Sequence, residues 1–126
     1  QAQEERDHAM LMLKYLQMNG ETVDLLAIEK PAQEFKDHMH PLEEALAHER
    51  YVTSLINNIY GVAYELKDFR TMQFLDWFVK EQVEEEDNAS NLIQKMEMFG
   101  TDAKGLYMLD QELAGRVYSA PSLTLD

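Results

Sequence analysis

The sequence has no cysteine, only three prolines and only five glycines in 126 residues. Without cysteine there are no disulfides and no thiolate metal ligands. That suits a reducing compartment, and a cytoplasmic location is expected. Scarce proline and glycine leave long stretches free to be helical. No apolar run approaches the roughly 20 residues needed to span a bilayer. Positive charge is also short: 11 Lys and Arg stand against 24 Asp and Glu, a formal net charge of −13. Such a surface repels nucleic acid and anionic membranes and suits cations. The length is that of one domain with a real core, and a single domain over 1–126 is expected.

Periodicity predicts an all-α chain. The first helix runs from about Gln1 to Met18 and stops at Asn19-Gly20. It has neither an initiator Met nor an N-cap and is helical in pattern from its first residues, like a helix entered part-way along. "GETVDLLAIEKPAQEFKDHMH" follows as a long connection, broken at Pro31. Pro41 suits the first turn of a second helix, about Pro41 to Leu66. Asp68 or Thr71 caps a third, which reaches about Phe99 before Gly100. Thr101 or Asp102 caps a short fourth through about Gly115, and the tail "VYSAPSLTLD" has no period. Three long helices joined by one long crossover make an incomplete bundle of the type in which the crossover links antiparallel pairs.

The stretch "FLDWFVKEQVEEEDN" carries the chemistry. Phe74, Leu75, Trp77, Phe78 and Val79 ask to be buried, and a block of acid follows. At 3.6 residues per turn, Glu81, Glu85 and Asn88 lie within about 40° of the line through Phe74, Trp77 and Phe78. Leu92 resumes that line, Gln82 and Glu84 flank it, and Glu86 and Asp87 point to water. On the second helix Leu42, Ala45, Leu46, Val52, Ile56 and Ala63 share a face with Glu49 in its middle. On the first, Ala2, Ala9, Met12 and Leu16 share a face that contains Glu5 and His8. Buried carboxylates must be paired, protonated or metal-bound. Glu5 and His8 stand at i, i+3, so both reach one point; this Glu-x-x-His is the spacing of carboxylate-bridged di-iron bundles, and Gln82-x-x-Glu85 matches it on the third helix. Carboxylates with one imidazole suit iron or another divalent metal.

Each of these features has a bland counterpart. Most Glu-x-x-His pairs lie on solvated faces, and a lone inward Glu49 can be a satisfied core acid. Glu86 and Asp87 are read as solvated, His38, His40 and His48 as capping or surface groups, and the methionines at 10, 12, 18, 96 and 98 as packing. What raises the metal reading above these is coincidence: three helices each place acid inside an apolar stripe.

"EERDH", "AHERYVTSLINNIYGVAYELKDF", "FLDWFVKEQVEEE" and "GLYMLDQEL" resemble the bacterial non-haem ferritins, in order and over nearly the whole chain. The resemblance implies an iron-storage cage of two dozen subunits. Its ferroxidase centre would oxidise Fe(II) with dioxygen or peroxide and pass Fe(III) to a mineral core. By the same resemblance Glu5 bridges two irons, His8 binds the first, Glu49 and Glu85 bind the second, and Gln82 stands beside them. Glu4, Glu81 and Glu84, with Glu85, resemble a neighbouring third iron site.

Two departures qualify it. Bacterioferritins, the haem-binding relatives, carry Met after the first motif Glu and a second Glu-x-x-His; here Arg6 follows Glu5 and the second motif is Gln82-x-x-Glu85, so no haem is expected. The family's own first helix, which supplies one more Glu to the first iron, is not in this chain. A start some 40 residues upstream is expected, one long helix with its turn. The rival readings are a soluble di-iron oxidase or peroxidase of the same superfamily, and a metal-free helical module that assembles with partners. The short fourth helix favours the cage. "AMLMLKYL" is apolar nearly all round, so Met10, Leu13 and Leu11 are expected at a subunit interface.

Overall fold

The computed structural model describes residues 1–31 and 34–125. Ala32 and Gln33, within the predicted connection, and the terminal Asp126 lie outside the described residues. The described residues form four helices and no strand, in the order α1 (Ala2–Met18), α2 (His40–Glu65), α3 (Phe69–Phe99) and α4 (Ala103–Ala114). These match the predicted helices to within a residue or so at each end.

The ends follow from cap chemistry. α1 closes in a Schellman arrangement. Gly20 sits at φ +77, its N–H donates to Gln17 O, and the Glu21 N–H donates to Leu16 O. At the start of α2, Asp37 Oδ1 accepts from the N–H groups of Met39 and His40, and Pro41 occupies the first turn. Asp68 caps α3, its carboxylate accepting from the Thr71 N–H at 3.1 Å. Asp102 does the same for α4, accepting from Lys104 and Gly105 at 2.9 Å. Gly105 is required there, because a Cβ would stand 1.8 Å from the Phe99 carbonyl oxygen.

The turn between α2 and α3 carries a residue that sequence reasoning did not single out. Lys67 has φ +55, and the second Schellman arrangement is built on it: Lys67 N–H donates to Tyr64 O and Asp68 N–H to Ala63 O. A left-handed conformation is unfavourable by about 1–2 kcal/mol for a residue with a Cβ. Glycine removes that strain but loses more chain entropy on folding, by about 0.5–1 kcal/mol. Lys67→Gly should therefore stabilise the chain by roughly 0.5–1 kcal/mol, seen as a higher denaturant midpoint with an unchanged slope. A lower midpoint would show that the Lys67 side chain contributes more than its backbone strain removes.

The chain divides into two compact units, one of Gln1–Pro31 with Ala114–Asp126 and one of Ala32–Leu113. In the first, the C-terminal segment bonds to α1: Arg116 to Glu4, Tyr118 Oη to Asp7 at 2.6 Å, and Lys14 Nζ to the Leu125 carbonyl. No residue of α1 is buried, so its predicted stripe is corrected: Ala2, Ala9 and Leu16 are exposed, while Met12 is half-buried. The contacts that tie α1 within unit 1 are polar side-chain bonds along one flank, to Arg116, Tyr118 and Leu125, and they leave those positions uncovered. Met10 is exposed too, consistent with an apolar side left to other contacts.

In the second unit α2 packs along α3. Ile56 and Ala63 meet Phe74, Leu75 and Phe78 in the core, with the rings of Phe74 and Phe78 5.2 Å apart. Tyr60 Oη donates to Asp76 at 3.0 Å, and Lys95 pairs with Glu112 of α4. Three stripe positions need correction. Ala45, Val79 and Asn88 are exposed: Val79 and Asn88 point well off the direction of buried Phe78, Gln82 and Glu85, while Ala45 shares the direction of buried Ala63 but lies in the first turns of α2. No described helix is long and apolar enough to cross a membrane.

Candidate metal centre

Gln82 and Glu85 are the two buried polar side chains of the described residues, at 7% and 9% exposure. Both continue the buried face of α3, Gln82 one turn and Glu85 two turns beyond Phe78. The sequence folds this way because Phe74, Leu75 and Phe78 must face α2, and a helix carries the same face onward to positions 82 and 85. Glu49, half-buried on α2, lies opposite. Gln82 Nε2 donates to Glu49 O at 3.1 Å and lies 3.2 Å from Glu49 Oε2. Acid and amide thus meet between α2 and α3 within unit 2.

Glu81 is half-buried and Glu84 is exposed on α3. Glu86, read from sequence as solvated, is corrected. It is partly buried against α2, accepting from the Thr53 hydroxyl at 2.6 Å and facing Arg50 Nε at 3.8 Å. Thr53 was missed as well. The available signal was spacing: Thr53 follows Glu49, and Glu86 follows Gln82, by one helical turn each, so the two pairs can face each other across the interface.

In unit 1, His8 Nδ1 stands 3.6 Å from Glu5 Oε2, as the i, i+3 spacing predicts. His8 is the better covered of the two, at 13% against 48%. Glu5 Oε1 also accepts from Gln1 Nε2 at 2.6 Å. Glu4 is engaged elsewhere: it accepts from Arg116 Nη2 at 3.0 Å and from the Ser119 N–H at 3.1 Å. These partners come from the segment in which the sequence shows no period, so nothing in the pattern announces them.

The Ser119 N–H is the main reason that the Glu4 carboxyl titrates below its ordinary value; partial burial opposes the shift and Arg116 adds to it. A depressed carboxyl pKa stabilises the folded contact above the unfolded value and loses that contribution as pH falls through the folded one. Hydrogen-exchange protection of the Ser119 amide should therefore hold at neutral pH and fade in acid as the Glu4 carboxyl takes up its proton, below the ordinary carboxylate range. Equal protection at neutral pH in Glu4→Gln and the unsubstituted chain would show that the segment is held by something other than the Glu4 carboxylate.

Chemically, unit 1 offers hard carboxylate oxygens with one imidazole, and unit 2 offers hard carboxylate oxygens with an amide beside Glu49. The ferritin-like domain family matches residues 1–99 of the chain. A probable bacterial non-heme ferritin-like protein of Haemophilus influenzae is 38% identical over 112 residues, which cover 89% of this chain and 68% of the relative. A bacterial non-heme ferritin of Staphylococcus haemolyticus is 36% identical over 118 residues, covering 94% and 71%. Among solved structures, an open-pore ferritin from the archaeon Archaeoglobus fulgidus is similar with a TM-score of 0.89 and 39% identity, over 91% of this chain and 71% of that one. A humanized archaeal ferritin gives 0.90 and 38%, over 93% and 71%.

Proposed function

Since the chain belongs to the ferritin-like domain family, whose members store iron, we propose that it oxidises Fe(II) at a carboxylate-rich di-iron centre and delivers Fe(III) to a mineral held in a protein cage. The observation that supports this best is the burial of Gln82 and Glu85 within an apolar stripe, with Gln82 bonded to Glu49. Acid and amide placed among core side chains suit a cation better than they suit stability.

In this reading the two units act as one ferritin-like domain. By the family resemblance Glu5, His8, Glu49 and Glu85 would hold the iron, and Gln82 would orient the Glu49 carboxylate beside it. Each Fe(II) loses one electron. Dioxygen takes two electrons and two protons to become hydrogen peroxide, or peroxide takes two electrons to become two hydroxides. Carboxylates favour the Fe(III) product, being hard donors. A third iron at Glu4, Glu81, Glu84 and Glu85 would require Glu4 to exchange Arg116 and Ser119 for metal. The working form is a homo-oligomer, a cage of two dozen subunits, in the cytoplasm.

The test is aerobic oxidation of Fe(II) followed by absorbance of the ferric product, with and without Zn(II), together with particle size by light scattering. Zn(II) has no redox chemistry and should compete for the ligands and block the fast phase. The particle should be a large oligomer. A strictly monomeric chain whose oxidation rate equals that of buffer, with or without Zn(II), would refute the proposal.

A further inference from the structure

Gln82 Nε2 carries two hydrogens and has three acceptors within reach: Glu49 O at 3.1 Å, Glu49 Oε2 at 3.2 Å and Thr53 Oγ1 at 3.2 Å. The third acceptor is kept open by its other partner. Thr53 Oγ1 donates its one hydrogen to Glu86 Oε1 at 2.6 Å, which leaves a lone pair of Thr53 for the amide. Arg50, a donor only, stands on the far side of Glu86 at 3.8 Å. Donation thus runs from Gln82 both to Glu49 and through Thr53 to Glu86, where the Arg50 ion pair supplies the balancing positive charge.

Resting on the metal reading above, we propose that Thr53 and Glu86 are positioning residues that free the Glu49 carboxylate for metal. When that carboxylate turns to a cation, Gln82 gives up one acceptor. A buried N–H left without a partner is strongly disfavoured. Thr53 Oγ1 supplies the replacement, so both amide hydrogens stay satisfied, on Glu49 O and on Thr53, while the carboxylate leaves. Without Thr53 the amide would hold the carboxylate back. Thr53 and Glu86 touch no metal and act only through Gln82.

The experiment titrates the chain with Co(II) and reads both affinity and the visible d–d absorption. Thr53→Val, nearly isosteric but without the hydroxyl, should weaken Co(II) binding about tenfold and shift the band shape. Thr53→Ser should restore wild-type behaviour. Glu86→Gln should fall between, because a glutamine can donate to Thr53 and turn its hydrogen toward the amide. Glu49→Ala supplies the decisive background: with no carboxylate to release, adding Thr53→Val should change nothing further. Wild-type affinity in Thr53→Val, or a full additive loss in the Glu49→Ala background, would overturn the proposal and mark Thr53 as a packing residue. Failure of the unsubstituted chain to bind Co(II) would instead overturn the metal reading on which it rests.

Discussion

Glu49→Ala should slow Fe(II) oxidation at least about 100-fold while leaving the helices in place, since loss of mere outer partners at metal sites already lowers affinity or activity by about 10–100-fold. The size follows from where Glu49 stands. It lies in the middle of the apolar face of α2, half-buried, with its backbone carbonyl and one carboxylate oxygen both against Gln82. Removing the carboxylate takes away a charged donor at the point where Fe(III) gains most from it. Folding should survive for two reasons. Alanine is the best helix former, so α2 loses nothing in propensity. The Gln82 amide also retains Glu49 O and Thr53 Oγ1, so no buried donor is orphaned. Stopped-flow absorbance measures the first effect and far-ultraviolet circular dichroism the second. Rapid oxidation at the unsubstituted rate would remove Glu49 from the site.

The all-α fold is legible because its signals are local, and its ferritin-like character is legible through the family resemblance. Asp68 and Asp102 announce helix starts by their own side-chain chemistry, and Gly20 and Gly100 announce stops. The burial of Glu85 is legible through periodicity, since a helix that buries Phe74 and Phe78 carries the same face onward. Gln82, placed only at the flank of that line, is buried and Glu81, placed on it, is half-buried, because the buried face centres nearer Leu75 and Gln82. The rest is tertiary. Periodicity gives the direction of a side chain and says nothing of what stands opposite. Glu86 was assigned to water because it points off the stripe of α3, yet α2 is close enough on that flank for Thr53 and Arg50 to reach it. The grouping of Glu4 with Glu81, Glu84 and Glu85 rests on the family resemblance, and its contacts to Arg116 and Ser119, more than a hundred residues away in sequence, have no local signal. Lys67 escaped notice because glycine normally announces a left-handed turn, and here a lysine bears it.

Phe78→Ala should be the most damaging single change to stability, by about 3–5 kcal/mol. Phe78 is 3% exposed and sits where the core gives way to the acid of the candidate site. Its ring meets Phe74 at 5.2 Å and Trp77 edge-on at 4.9 Å, so truncation opens a cavity and breaks two aromatic contacts. Against a total stability of about 5–15 kcal/mol, that loss leaves a marginal fold. It should also loosen the first turn beyond it, where Gln82 is held. Val83 provides the control. It lies in the same helix, little more than one turn away, yet is 68% exposed. An apolar side chain facing water in this way should tolerate Val83→Ala within about 0.5 kcal/mol. Chemical denaturation of both variants, at several protein concentrations, separates two situations. A large loss at Phe78 with none at Val83 means that the α2–α3 core alone sets stability. A loss at Val83 well above 0.5 kcal/mol, growing with protein concentration, means that this exposed face is buried in an assembly. Equal, small effects at both positions would show that Phe78 is not the core residue its burial indicates.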